Sequence, residues 1–582
     1  MLRVRIGQHS QAGTGKALNQ DFHGAAVPGG VLLQTKGIAV ALADGIGSSA
    51  ESHVASAAAV RGFLEDYFNT SEAWPVRRAA RCVLQATNAW LHAQTQLGEG
   101  RFDQDHGCVC TFSALVLKGR DAHLLHVGDS RIYRVHAQAL EQLTHDHRVR
   151  GPGAESWLGR ALGVDRSVEI DYQSWALEIG ELYLLATDGA HEHLDAAAVR
   201  AALGAHGDDL DAAAAALVAS ARAHGSQDDA TVQLVRIEAL PAPDANLLHR
   251  QREGLALPPP LQPRMAFEGY TIVRELHSSA RSHVHLALDD STGLPVVIKT
   301  PSTEAAEQPE ALDRLLLEEW VARRVDSPHL LKAAPGERPR QHLFVAMEYR
   351  PGQTLAQWMT DHPAPRLDEV RRIVGQAALG LQALHRKAMV HGDVRPANVM
   401  IDDAGTVCLL DFGATLVSGL AEVTGSAAGS LPAGELQYAA PESLLGRETG
   451  PQADLFSLAV LTYQMLCGRL PFGLELSRAR SERDLHRLQY QPLRQHRPEL
   501  PGWLDAVLRK ALHTNPLKRQ QALSEFVHDL REPGPEFRRD GKLPLFERSP
   551  AAFWRGLAVA LAAALVLALA KLVLGTAAGS GL

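Results

Sequence analysis

At 582 residues the chain exceeds what one hydrophobic core holds together, so two or more domains are expected. Hydrophobic residues make up 46% and charged residues 21%, the proportions of folded globular material. The net charge of −8 and the lack of any lysine or arginine run argue against a nucleic-acid partner.

The N-terminus, MLRVRIGQHSQAG, lacks the apolar core of a signal peptide. The stretches GIAVALADG, HLLHVGDSRIYRV, ELYLLATDG and ATVQLVRI read as strands, each beginning or ending beside acidic residues. The alanine-rich segment 194–225 reads as two helices with a break near Gly204 to Asp208. Cys82, Cys108, Cys110, Cys408 and Cys467 form no CxxC pair and read as reduced cytosolic thiols, with Cys108 and Cys110 a buried pair on one strand face.

Residues 239–264 contain a Pro-Pro-Pro run and resist both helix and sheet, which marks an extended linker. A second proline- and charge-rich break covers 531–550. Beyond it, Gly556 to Ala570 contains no polar side chain, and residues 551–574 are long enough to cross a bilayer as one helix. Lys571 lies near the far end, where its stem can carry the amine to the headgroups. Arg538, Arg539, Lys542, Arg548 and Arg555 precede the span and place that side in the cytoplasm. The expected location is the inner membrane, single-pass, with the catalytic domains cytoplasmic.

Four carboxylates mark the N-terminal half: Asp21, Asp44, Asp188 and Asp228. Three adjoin predicted strands, and Asp44 and Asp188 are each followed by glycine. Carboxylates converging from several strands repel one another unless a cation neutralises them, and hard oxygen ligands favour magnesium or manganese over zinc. Any one aspartate-glycine pair is equally explained as a turn. The histidines of HEH (191–193) and HDH (145–147) are a weaker, zinc-type alternative.

Taken in order, GKALNQD, ADGIG, HVGDSRIYR, LTHDH, RALG, TDG and SQDDATV resemble the PPM-type (phosphatase 2C class) Ser/Thr phosphatases. The resemblance implies a β-sandwich flanked by helices, with a two-metal centre of Mn2+ or Mg2+ held by Asp21, Asp44, Gly45, Asp188 and Asp228, Gly45 through its carbonyl. It implies that Lys16 holds phosphate in place of the usual arginine, and that Asp129 and Glu192 match positions for a third, weaker metal. Asp229 replaces the usual asparagine, and the segment between DHR and RALG is shortened.

In the second half VVIK, LEEW, MEY, HGDVRPAN, DFG, AAPE and Arg519 follow in an order that resembles the bacterial eukaryotic-like Ser/Thr protein kinases. The resemblance implies a bilobal fold using ATP and Mg2+. Lys299 would hold phosphates and Glu318 orient it, while Asp393 would act on the substrate hydroxyl and Arg395 would neutralise charge. Asn398 and Asp411 would hold magnesium, with Met347 and Glu348 at the nucleotide. Three departures stand out: His277, Ser279 and Ser282 where glycines belong, Gly392 for arginine, and Glu435 for threonine.

The expectation is an α+β multidomain chain. It comprises a phosphatase domain at 1–240, a linker at 241–266, a kinase domain at 267–531, a basic juxtamembrane segment at 532–550, a transmembrane helix at 551–574 and a tail at 575–582. Its partners would be proteins bearing serine or threonine, together with the membrane. The alternative is a phosphatase carrying a pseudokinase as a binding or nucleotide-sensing module.

Overall fold

The computed structural model describes residues 1–46, 51–97, 107–136, 139–150, 156–242, 255–336, 338–420, 436–447 and 449–532, with 252, 554, 555, 558 and 561. They form two compact units. The first comprises Met1–Arg350, Ala383–Gly392 and Asp411–Ser430; the second comprises Pro351–Gln382, Asp393–Leu410 and Leu431–Leu582.

The first unit opens with β1 (Arg3–Gln11), β2 (Asp21–Ala26), α1 (Gly30–Thr35) and β3 (Ile38–Asp44). Helices α2 (Ser52–Asn69) and α3 (Val76–Leu97) precede β4 (Phe112–Lys118), β5 (Asp121–Val127), β6 (Arg131–Val135) and β7 (Leu140–Gln142). The short strands β8 (Arg148–Arg150) and β9 (Ser156–Leu158) lead to β10 (Asp171–Ala176) and β11 (Leu182–Ala186). Next come α4 (Asp188–His191), α5 (Ala196–His206), α6 (Leu210–Ala223) and β12 (Ala230–Ala239). Two five-stranded sheets result, in the orders β1-β12-β11-β6-β7 and β10-β5-β4-β3-β2.

Strand periodicity sorts the core into layers. Along β3, Ile38, Val40 and Leu42 enter the cluster between the sheets, while Ala39, Ala41 and Ala43 face the cluster containing α2 and α3. Alanines on that face let the helices approach closely. On the other sheet, Tyr183 and Leu185 point inward, and Leu182, Leu184 and Ala186 pack with α5 and α6. The two expected alanine-rich helices are α5 and α6, capped by Asp195 and Asp209 and separated at Gly207, whose φ is +60°.

One expected strand is in fact two. The segment HLLHVGDSRIYRV breaks at Gly128, where φ is +113° and a Cβ would lie 2.7 Å from the Thr111 side chain. The chain there leaves one sheet as β5 and enters the other as β6.

The same unit holds a second sheet system: β13 (Ala266–Phe267), β14 (Tyr270–Ser278), β15 (Ser282–Asp289), β16 (Pro295–Pro301) and, after α7 (Thr303–Ala306) and α8 (Pro309–Ala322), β17 (Val345–Glu348). Its core includes Phe267, Tyr270, Ile272, Ile298 and Phe344.

The second unit is largely helical, with a small sheet of Gln353–Thr354, Val399–Ile401 and Val407–Leu409. Helix Pro451–Cys467 is buried on nearly every side, in keeping with its largely apolar sequence, and it buries Asp454, Ser457 and Thr462 as well. Beside it Arg519 is fully buried and forms two 2.7 Å bonds to Glu442. No helix among the described residues is long and apolar enough to cross a membrane. The expected span at 551–574 lies outside them, apart from the isolated residues named above.

Candidate active sites

The β2–β3 register sets Asp21 directly opposite Asp44, at the ends of neighbouring strands. Asp188 opens α4, immediately after β11, and Asp228 precedes β12. Four strand ends thus deliver four carboxylates to one end of the sandwich. Gly45 is required by crowding: a Cβ there would stand 2.5 Å from the Ser52 carbonyl oxygen and 2.8 Å from that of Gln20.

The electrostatics are those of a crowded anionic cluster. Asp21 Oδ2 accepts from Thr187 at 2.8 Å and Thr231 at 2.6 Å, whereas its Oδ1 is buried with no hydrogen-bond partner. Burial pushes Asp21 up to about 7 against those two hydroxyls, with the charges of Asp229 and Asp188 adding to the rise. Burial, then Asp21, Asp188, Asp129 and Asp228, hold Asp44 well above the ordinary range. Burial, then Asp129, Asp228 and Glu192, raise Asp188 to about 6. A buried anionic oxygen without a donor, beside carboxylates strained by one another, fits an oxygen-liganded divalent cation.

Among the described residues no three His, Cys, Asp or Glu side chains close around one point. Two organic cations stand among the carboxylates. Lys16 Nζ contacts Asp228 and lies 3.1 Å from Asp229 Oδ2. Arg148 Nε donates to Asp129 Oδ2 at 2.7 Å, and its Nη2 lies 3.1 Å from Glu192 and 3.6 Å from Asp188. Asp129, expected to face a third metal, is therefore bonded to a guanidinium. The four histidines do not converge: His191 Nε2 is bonded to the Asp129 carbonyl and His193 to that of His224, while His147 pairs with Asp171 and His145 is exposed. A cleft beside the cluster is lined by Lys16, Asp188, Glu192, His193, Gln227 and Asp228.

The second constellation is assembled within each unit separately. In the first, Lys299 on β16 lies 2.6 Å from Glu318 on α8 and 3.3 Å from Asp411. Burial alone would lower the Lys299 amine, and the charges of Asp411 and Glu318 reverse that, holding it above its ordinary value. Burial and Asp411 push Glu318 up to about 7 against the pull of Lys299. Met347 is buried on β17, and the Glu348 amide donates to the Lys332 carbonyl at 3.0 Å. In the second unit Asp393 Oδ2 accepts from Asn398 at 2.7 Å and from Arg395 at 3.1 Å.

The β14–β15 turn, where glycines were expected to be replaced, closes on itself. Ser279 Oγ accepts from the amides of Arg281 at 3.3 Å and Ser282 at 3.2 Å, and the Ser279 amide donates to the Ser282 carbonyl at 3.0 Å. Gly392 has φ +77°, and a Cβ there would lie 2.6 Å from the Ala414 carbonyl oxygen. Glu435 lies outside the described residues.

Comparison with known proteins fits this geometry. Residues 8–225 match the family model "Protein phosphatase 2C", and residues 270–530 match "Protein kinase domain". The chain joins a phosphatase 2C domain to a Ser/Thr protein kinase domain. Over 215 residues the chain is 31% identical to a probable serine/threonine-protein kinase, pknA2, of Bifidobacterium longum; the match covers 36% of this chain and 28% of that protein. The chain thus spans about a quarter of the length of that relative. The PknI kinase domain of Mycobacterium tuberculosis is 29% identical, covering 47% of this chain and 100% of that one, with a TM-score of 0.39. The serine/threonine phosphatase PstP/Ppp of the same organism is 24% identical, covering 41% and 100%, with a TM-score of 0.34.

The phosphatase 2C domain contains supporting residues that sequence reading passed over. Thr187 and Thr231 fix the Asp21 carboxylate. Asp229 is 2% exposed and accepts from the amides of Gly13 at 2.7 Å and Gln20 at 2.9 Å, so it anchors the loop bearing Lys16 as well as adding charge. Its extra charge was legible as the replacement of the usual asparagine, whereas its hold on the Gly13 and Gln20 amides was not. In the kinase domain Thr415 is buried, and the Ser418 hydroxyl donates to the Ala388 carbonyl at 3.0 Å.

Proposed function

We propose that the chain is a bifunctional signalling enzyme, hydrolysing phosphoserine and phosphothreonine esters of proteins in one domain and transferring phosphate from ATP to protein hydroxyls in the other. The donor set of Asp21, Asp44, Gly45, Asp188 and Asp228 would hold Mn2+ or Mg2+. Such cations, when bound, supply hydroxide near neutral pH from coordinated water. The chain's own groups do the rest: Lys16, at the cleft wall, meets the phosphate as a point charge rather than a bidentate fork, and Asp229 keeps the Lys16 loop in place.

One observation carries the transferase half: Lys299 is already paired with Glu318 at 2.6 Å, the arrangement phosphoryl transfer requires. Lys299 would neutralise nucleotide phosphates, Asp393 would orient and deprotonate the acceptor hydroxyl, and Arg395 would offset charge on the moving phosphoryl group. Asn398 and Asp411 would hold Mg2+, with Met347 and Glu348 beside the nucleotide base. A second reading, a phosphatase with a nucleotide-sensing pseudokinase, is favoured by the turn in which Ser279 takes amides that would otherwise meet phosphate. Labelled ATP decides between them in an Asp44→Asn background, where no phosphatase erases product. Incorporation abolished by Lys299→Met and by Asp393→Asn supports the bifunctional enzyme; no incorporation, with ATP still bound, supports the sensor.

Membrane attachment through 551–574, with both domains cytoplasmic, belongs to the same proposal and rests on the apolar run and the preceding basic residues.

A further inference from the structure

Arg148 opens β8, and its backbone surroundings are fixed on both sides. The His147 amide donates to the Gly128 carbonyl at 2.8 Å, the Gly159 amide donates to the His147 carbonyl at 2.6 Å, and β8 pairs with β9 at Arg148 and Leu158. Two residues earlier, Asp146 holds Arg131 bidentately at 2.9 and 2.6 Å, tying this segment to β6. The guanidinium is therefore delivered to the acidic cluster by an anchored stretch of chain.

At its destination one guanidinium meets three carboxylates: Asp129 at 2.7 Å, Glu192 at 3.1 Å and Asp188 at 3.6 Å. Carboxylates from two segments, Asp129 between β5 and β6 and Asp188 and Glu192 on α4 and its cap, thus surround one guanidinium through its different nitrogens. A guanidinium brings a fixed charge that does not titrate and planar donors matched to carboxylate oxygens. A metal ion entering there must displace a cation that is part of the chain and always present at high effective concentration.

We propose that Arg148 is the built-in cation of this position, so that the phosphatase domain holds its two ions at Asp21, Asp44, Asp188 and Asp228 and takes no third ion at Asp129 and Glu192. The inference rests on the proposed two-ion reading of those aspartates. Arg148 acts as a positioning residue, neutralising Asp188 and Asp129 without contact with substrate.

Manganese stoichiometry of the full chain, without nucleotide, tests it by calorimetric titration or by counting bound Mn2+ with electron paramagnetic resonance. Wild type should bind two ions and show no further site at millimolar Mn2+. Arg148→Ala and Arg148→Gln should each gain one weaker ion, and adding Asp129→Asn should remove it again. Wild type binding three ions overturns the proposal whether or not the variants fold. Equal, nonzero counts in wild type and folded Arg148 variants overturn it too. Wild type binding no ion defeats the underlying two-ion reading, and the proposal with it.

Discussion

Replacing a single carboxylate separates the two chemistries. Asp44→Asn should abolish phosphopeptide hydrolysis and leave phosphate transfer intact, because it alters a buried anion of one domain only. Undiminished hydrolysis by this variant in excess chelator would contradict the metal-centred reading. The raised carboxylates also set a pH dependence for the cation-free protein. Asp21 titrates near 7 and Asp188 near 6 in the folded state, against an ordinary value of 3.8. Between those limits the folded chain keeps protons that the unfolded chain has released, so their contribution is fully present below the ordinary value and is lost as pH rises through about 6 to 7. Chelated protein should therefore melt at a lower temperature at about pH 8 than at about pH 5, and Asp21→Asn should flatten part of that slope. Added Mn2+ should restore the high-pH melting temperature. A slope identical in Asp21→Asn and wild type would refute the assignment.

At the scale of elements, the β14–β15 turn makes a direct prediction. Ser279→Gly removes the oxygen that occupies the Arg281 and Ser282 amides, and it should lower the KM for ATP several-fold with little change in kcat. An unchanged KM would show that those amides do not meet phosphate. The buried Arg519–Glu442 pair anchors the helical unit, and Arg519→Met should destabilise it by about 3–5 kcal/mol by stranding a buried carboxylate, measurable by urea denaturation. These elements also show where sequence reading succeeds and stops. Asp44, Asp188 and Asp228 were legible because each adjoins a predicted apolar strand, and Asp21, Lys299 and Glu318 through the ordered motifs that carry the two family resemblances. The placement of Arg148 was not, since it depends on a short hairpin carrying a side chain across the fold. Nor was the Gly392 backbone: its left-handed φ and the nearby Ala414 carbonyl make an arginine there strained, so the glycine is part of the local chain path. The Gly128 break was misread because apolar alternation continues on both sides while the chain changes sheets.

For the whole molecule, removing residues 551–582 should release protein that retains both activities into the soluble fraction, while the full chain should require detergent. Full-length chain in the soluble fraction without detergent would exclude the anchor. The pairing of β1 with β12 has a consequence in time. Among the described residues β1 is an edge strand paired with the last strand of its domain, Arg3 opposite Ala239 and Gln11 opposite Ala230. During synthesis at about 5–20 residues per second, the first strand waits roughly 10–50 s before its partner exists. Throughout that interval it is an unpaired edge, exposed to other nascent chains. Arg3 and Arg5, which end up paired with Glu238, are charges of the kind that discourage such an edge from recruiting a stranger. The phosphatase centre, which needs Asp21 from just after the first strand and Asp228 from just before the last, can only assemble once synthesis has already reached the linker.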